Sequence, residues 1–101
     1  MTLNEHLLMC LAEEGSEVTQ AVSKSLRFGL EDRNVLDPLG PNNRERLVLE
    51  LNDLLGVAAL LVEVGVLPAD WACPEKQLCK AEKSLKFLAY AQKQCQGVLQ
   101  R

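Results

Sequence analysis

Aromatic residues are scarce in this chain: Phe28, Trp71, Phe87 and Tyr90 are the only four among 101 residues. A sugar-cleaving cleft, which pairs two carboxyl groups with a saccharide-binding surface, is poorly supplied by that set. Histidine is scarcer still, with His6 alone. Di-iron helical bundles draw on Glu-x-x-His pairs, and no glutamate here has a histidine three residues on. None of the four cysteines (Cys10, Cys73, Cys79, Cys95) forms a Cys-x-x-Cys pair. Zinc-finger chemistry is therefore not expected, and His6 with Cys10 reads as a surface or packing pair. The cysteines read as free thiols in a reducing cytosol rather than as a disulfide framework. Basic charge is also lacking: the net charge is −3, which gives no reason to expect nucleic-acid binding. The most apolar run, Leu54 to Val62, falls far short of the ~20 residues a membrane span needs. No basic segment followed by an apolar run opens the chain, so neither a signal peptide nor a membrane partner is expected, and the cytoplasm is the expected location.

What is present is ordinary globular composition, 48% apolar and 25% charged, in a length that suits one small domain over residues 1–101. Three helices and a long loop account for the pattern, giving an all-α fold. The first helix runs from about Leu3 to Phe28, with Thr2 or Asn4 as its N-cap and Gly29 placed for a left-handed C-terminal cap. Leu7, Leu11, Val18, Ala21 and Val22 recur at helical spacing along it, and Glu14 falls on the same stripe. The segment Gly29–Asn43 is rich in Gly, Pro, Asn and Asp and reads as a loop. It is longer than most helix–helix connections, so a lid over a site and a tolerated surface excursion both fit. The second helix runs from about Arg44 to Val64, capped by Asn42 or Asn43 and ended by Gly65. From Leu47 to Val62 it is apolar on nearly every face, the pattern of a central, buried helix. Trp71 is the expected apolar anchor of the next connection. Pro74 suits the first position of a third helix reaching about Gln96, with a stripe of Leu78, Ala81, Leu85, Leu88 and Cys95. Three helices this apolar are expected to pack against a second copy.

Two matched acidic pairs stand out against this background. Glu14/Glu17 and Glu50/Asp53 are each spaced i,i+3, so each pair projects from one face of its helix. If the helices pack together, four oxygen donors converge with no basic residue between them. An unpaired carboxylate turned toward a core costs several kcal/mol. A hard divalent cation resolves both problems, Mg2+ first and Mn2+ second, and a Mg2+ ion with its waters suits a phosphate-bearing substrate.

The Glu13-Glu14-x-x-Glu17 followed by Glu50-x-x-Asp53 resembles the motif of the MazG-like nucleoside triphosphate pyrophosphohydrolases. The likeness extends from about Leu3 to Val64, through Leu11–Glu17, Lys24–Gly29 and Glu45–Leu55, and more loosely into the third helix. The gap between Glu17 and Glu50 is longer than in many members. The resemblance implies Glu14, Glu17, Glu50 and Asp53 as metal ligands and Glu13 as a helper base or a neighbour of the metal shell. It implies hydrolysis of a (d)NTP to the monophosphate and pyrophosphate; the apolar helices make a homodimer or homotetramer the expected assembly. Lys24 and Arg27, one turn apart at the end of the first helix, are candidates to meet substrate phosphates, and Lys83 is a further one. The alternatives are phosphoribosyl-ATP hydrolysis and a helical interaction module that has lost catalysis.

Overall fold

The computed structural model describes residues 1–99, with side chains described through residue 94. It is all-α: α1 spans Leu3–Phe28, α2 Asn43–Glu63 and α3 Pro74–Leu99. Local chemistry sets these limits. The Thr2 hydroxyl accepts from the Glu5 backbone N–H at 3.1 Å and opens α1. Gly29 closes it at φ 96°, a conformation that a side chain would strain, while its N–H reaches the Ser25 carbonyl. Asn42 and Glu45 form a reciprocal capping box at the start of α2. Gly65 at φ 80° follows the end of α2, and the N–H groups of Val66 and Leu67 turn back to the Leu61 carbonyl. The chain divides into two units, Met1–Pro68 and Ala69–Arg101.

In the first unit α1 and α2 pack as an antiparallel hairpin. Lys24 shares a cavity wall with Arg46, Glu17 with Glu50, and Glu14 lies beside Asp53, so numbers fall along one helix as they rise along the other. Leu7 and Ala21 of α1 and Ala58 and Leu61 of α2 are buried, Leu61 completely. Leu11 and Val18 are half-buried, whereas Val22, expected on the same stripe, is exposed. Within the first unit, α2 is not buried on nearly every face as its composition leads one to expect. Val48, Leu49, Leu51, Leu55 and Leu60 are exposed. A single partner helix covers one stripe of an α-helix and leaves the rest bare.

The neck of the α1–α2 loop is tied down. Asn43 and Arg44 donate backbone N–H bonds to the carbonyls of Asp32 and Leu30 at 2.9 and 2.8 Å. Arg44 pairs with Glu31 at 2.7 Å and Arg33 with Glu45 at 3.5 Å. The buried Asn42 side chain donates to Glu31, and Asn43 donates to the Gly29 carbonyl. The tip differs: Val35 and Leu36 are 89% exposed and Leu39 97%.

In the second unit, Pro74 takes the first helical position and the Gln77 N–H reaches the Cys73 carbonyl at 3.0 Å. Helix α3 continues past Gln96 to Leu99, through Gly97, because one glycine weakens a helix without ending it. Trp71 is 40% exposed. Leu78, Ala81, Leu85 and Leu88 lie on the exposed surface, and the side chain of Cys95 lies outside the described residues. Among the described residues, Cys10, Cys73 and Cys79 are free thiols, there is no strand, and no helix is long and apolar enough to cross a membrane.

Candidate metal centre

The middle of the hairpin brings Glu14 from α1 against Glu50 and Asp53 from α2. One carboxylate oxygen from each lies within 4.8 Å of the others. The fourth predicted ligand, Glu17, stands outside this group of three. It lines an adjoining cavity of about 240 Å³ together with Glu50, Gln20, Lys24 and Arg46. Glu14 and Glu50 are half-buried between the helices, while Asp53 and Glu17 are exposed. The helical spacing thus turns two acids inward and leaves their partners on the rim.

Electrostatics follow from this placement. Partial burial, and then the carboxylates of Asp53, Glu50, Glu17 and Glu13, raise the Glu14 carboxyl above its ordinary value. Among the described residues, no lysine or arginine forms an ion pair with any of the four acids; the two ion pairs present lie at the loop neck. The donor set is all oxygen, as Mg2+ prefers. In an octahedral Mg2+ shell, ligands about 2.1 Å from the ion have opposite oxygens about 4.2 Å apart. Three ligands of one octahedral ion include at least two adjacent pairs about 3.0 Å apart, so donors now within 4.8 Å of one another would draw closer on binding. The chemistry of the donor set suits a hard divalent cation.

The remaining predicted residues fall in different places. Glu13 is exposed beside Glu14 on α1. Lys24 lines the cavity next to Glu17 and Glu50. Arg27 does not line that cavity; its guanidinium lies 5.1 Å from the centroid of its neighbour, the Phe28 ring. Lys83 belongs to α3, in the second unit, where it lines a shallow apolar recess with Lys86, Phe87 and Tyr90. His6 meets Cys10 at 3.6 Å (Nε2 to Sγ), a local pair on the surface of α1.

One residue escaped the sequence reading. Arg46 stands with Lys24 in the cavity that Glu17 and Glu50 also line. The signal was there: Arg46 precedes Glu50 by four residues and so shares its helix face. A second cavity, about 330 Å³, opens where α1, the loop neck and α2 meet. Lys24 and Arg46 line it too, with Phe28, Asn34, Val35 and Pro41 among its walls. No protein-family model matches the chain, nor does any curated protein or solved structure.

Proposed function

We propose that this chain is a Mg2+-dependent nucleoside triphosphate pyrophosphohydrolase of the MazG-like type, releasing a (d)NMP and pyrophosphate, with Mn2+ able to replace Mg2+. The observation that carries the reading is the convergence of Glu14, Glu50 and Asp53 oxygens from two helices, with no cation paired to them among the described residues. Glu17 lines the adjoining cavity beside Glu50, one turn from Glu14, and would join the ligand set when an ion binds. A bound divalent ion would neutralise phosphate charge and lower the pKa of a water. The chain's own residues do the rest. Lys24 presents its ammonium to the polyphosphate from the cavity next to the acids. Glu13, exposed one residue from Glu14, takes the proton released as the water oxygen bonds to phosphorus and the pyrophosphate oxygen leaves. The exposed leucines and valines of α2 support assembly as a homodimer or homotetramer, and the reading assigns the enzyme to the cytoplasm.

The test is incubation with each (d)NTP and Mg2+, with products resolved by phosphorus NMR. Equal amounts of monophosphate and pyrophosphate are expected. Orthophosphate as the sole phosphate product, or no turnover of any nucleotide with either metal, would reject the reading and favour a helical module that binds without catalysis.

A further inference from the structure

We infer that the cavity at the mouth of the hairpin holds the nucleoside of the substrate, and that Lys24 and Arg46 together grip the phosphates between that cavity and the acids. This inference rests on the hydrolase reading for its metal end and adds the other end.

The lysines and arginines of the first unit are Lys24, Arg27, Arg33, Arg44 and Arg46. Arg33 and Arg44 are committed to Glu45 and Glu31 at the loop neck. Arg27 lies over Phe28. Lys24 and Arg46 form no ion pair among the described residues, and they are the two residues common to both cavities. Two free cations at a seam, with carboxylates on one side and an open cavity on the other, suit an anionic chain lying across them. Arg46 supplies a planar fork that matches phosphate oxygens, and Lys24 a mobile point charge.

The outer cavity, whose lining also includes Asp32, Arg33 and Asn43, offers the stacking, apolar and hydrogen-bonding wall that a nucleoside uses. At about 330 Å³ it lies at the lower end of the range for small-molecule pockets. Phe28, exposed over 58% of its surface, offers a ring for stacking, and Val35 and Pro41 add apolar wall. Asn34 adds polar atoms: its Oδ1 accepts from the Leu36 N–H, which leaves the amide NH2 to donate. The neck bonds described above fix the Asp32, Arg33 and Asn43 side of the cavity, while Val35 comes from the exposed loop tip. A substrate running from the acids over Lys24 and Arg46 to Phe28 is a nucleoside polyphosphate, and inorganic polyphosphate fills only half of it.

The test uses the full chain in EDTA, which separates it from metal binding. The four common nucleoside 5′-monophosphates and inorganic tripolyphosphate are titrated while backbone amide resonances are followed by NMR. At least one nucleotide is expected to shift Phe28, Asn34 and Val35, whereas tripolyphosphate shifts residues around Lys24 and Arg46 only. Phe28→Ala is expected to weaken that nucleotide by about tenfold, as loss of base stacking does, and to leave tripolyphosphate affinity within about twofold. Arg46→Gln is expected to weaken both ligands by about tenfold, the effect of removing a charge-assisted phosphate contact. Phe28 is exposed and outside the core, and an unchanged circular dichroism spectrum verifies that each variant folds. Nucleotide and tripolyphosphate perturbing the same residues, full nucleotide affinity in Phe28→Ala, or no nucleotide binding at millimolar concentration would each overturn the inference. Loss of the hydrolase reading is visible separately. Nucleotide shifts at Phe28 without turnover would support the cavity and reject catalysis, while turnover with Phe28 unmoved would reject the cavity alone.

Discussion

The α1–α2 hairpin and the segment carrying α3 start from the same kind of sequence and end differently. Both contain long helices with an apolar stripe at helical spacing. In the hairpin, Leu7, Ala21, Ala58 and Leu61 are buried. In the second unit no described residue is buried, and Leu78, Leu85, Phe87, Leu88 and Tyr90 are all exposed. An apolar stripe therefore predicts a helix and the face it offers, but not what covers that face. The difference extends to chemistry. Carboxylates from two helices converge only where packing fixes the helices side by side, and the acids of the hairpin are fixed in that way.

The largest expected effect breaks the site itself. Glu50→Gln should lower kcat/KM by at least about 100-fold, since even residues that merely support a metal ligand cost 10–100-fold. Its helical circular dichroism should match the wild type. Retained activity would remove Glu50 from the metal site. Lys83→Gln, in α3, should cost less than Arg46→Gln; the reverse order in steady-state assays would move the phosphate contact out of the hairpin.

Core substitutions probe the contrast in packing. Leu61→Ala should destabilise the fold by about 2–5 kcal/mol in urea denaturation, as truncation of a fully buried leucine does. Leu85→Ala should stay within about 0.5 kcal/mol, the range of an exposed site. An equal loss at Leu85 would mean that its face is covered in solution. Asn42→Ala removes the side-chain half of the α2 capping box and should cost about 1 kcal/mol, measured the same way.

The smallest effect has the opposite sign. A carboxyl whose pKa is raised by folding binds its proton more tightly in the native state. Its contribution therefore favours the fold at low pH and is lost as pH rises from the unfolded value through the folded one. For Glu14, crowded by burial and four acids, the metal-free protein pays that loss at neutral pH. Glu14→Gln should accordingly raise the melting temperature in EDTA at pH 7, with the gain shrinking as pH falls below the carboxylate range. A lower melting temperature for this variant at pH 7 would show that the acids attract a cation of the chain rather than repel one another.

Much of the fold was legible because its signals are local. Thr2, Gly29, Asn42 and Pro74 act within a turn of themselves, and each stands where its chemistry predicts. The approach of Glu14 to Glu50 and Asp53 was legible because i,i+3 spacing and a shared stripe are helix properties. Three features depend on tertiary placement and were not legible. The exposure of α2 reflects how many helices surround it, which no periodicity states. Glu17 points into the neighbouring cavity rather than into the group of three, a matter of one helix's rotation against another. The outer cavity is formed where the loop neck meets both helices, which no local signal states.

The proposed divalent-cation site of the hairpin acids can be measured without any assay of turnover. Its most direct measurement is a calorimetric titration of Mg2+ and Mn2+ into the full chain and into Glu50→Gln and Asp53→Asn, with and without a non-hydrolysable nucleotide. Saturable binding by the wild type that is lost in both variants is the predicted result. Identical isotherms for all three proteins, or no binding even with nucleotide present, would contradict it.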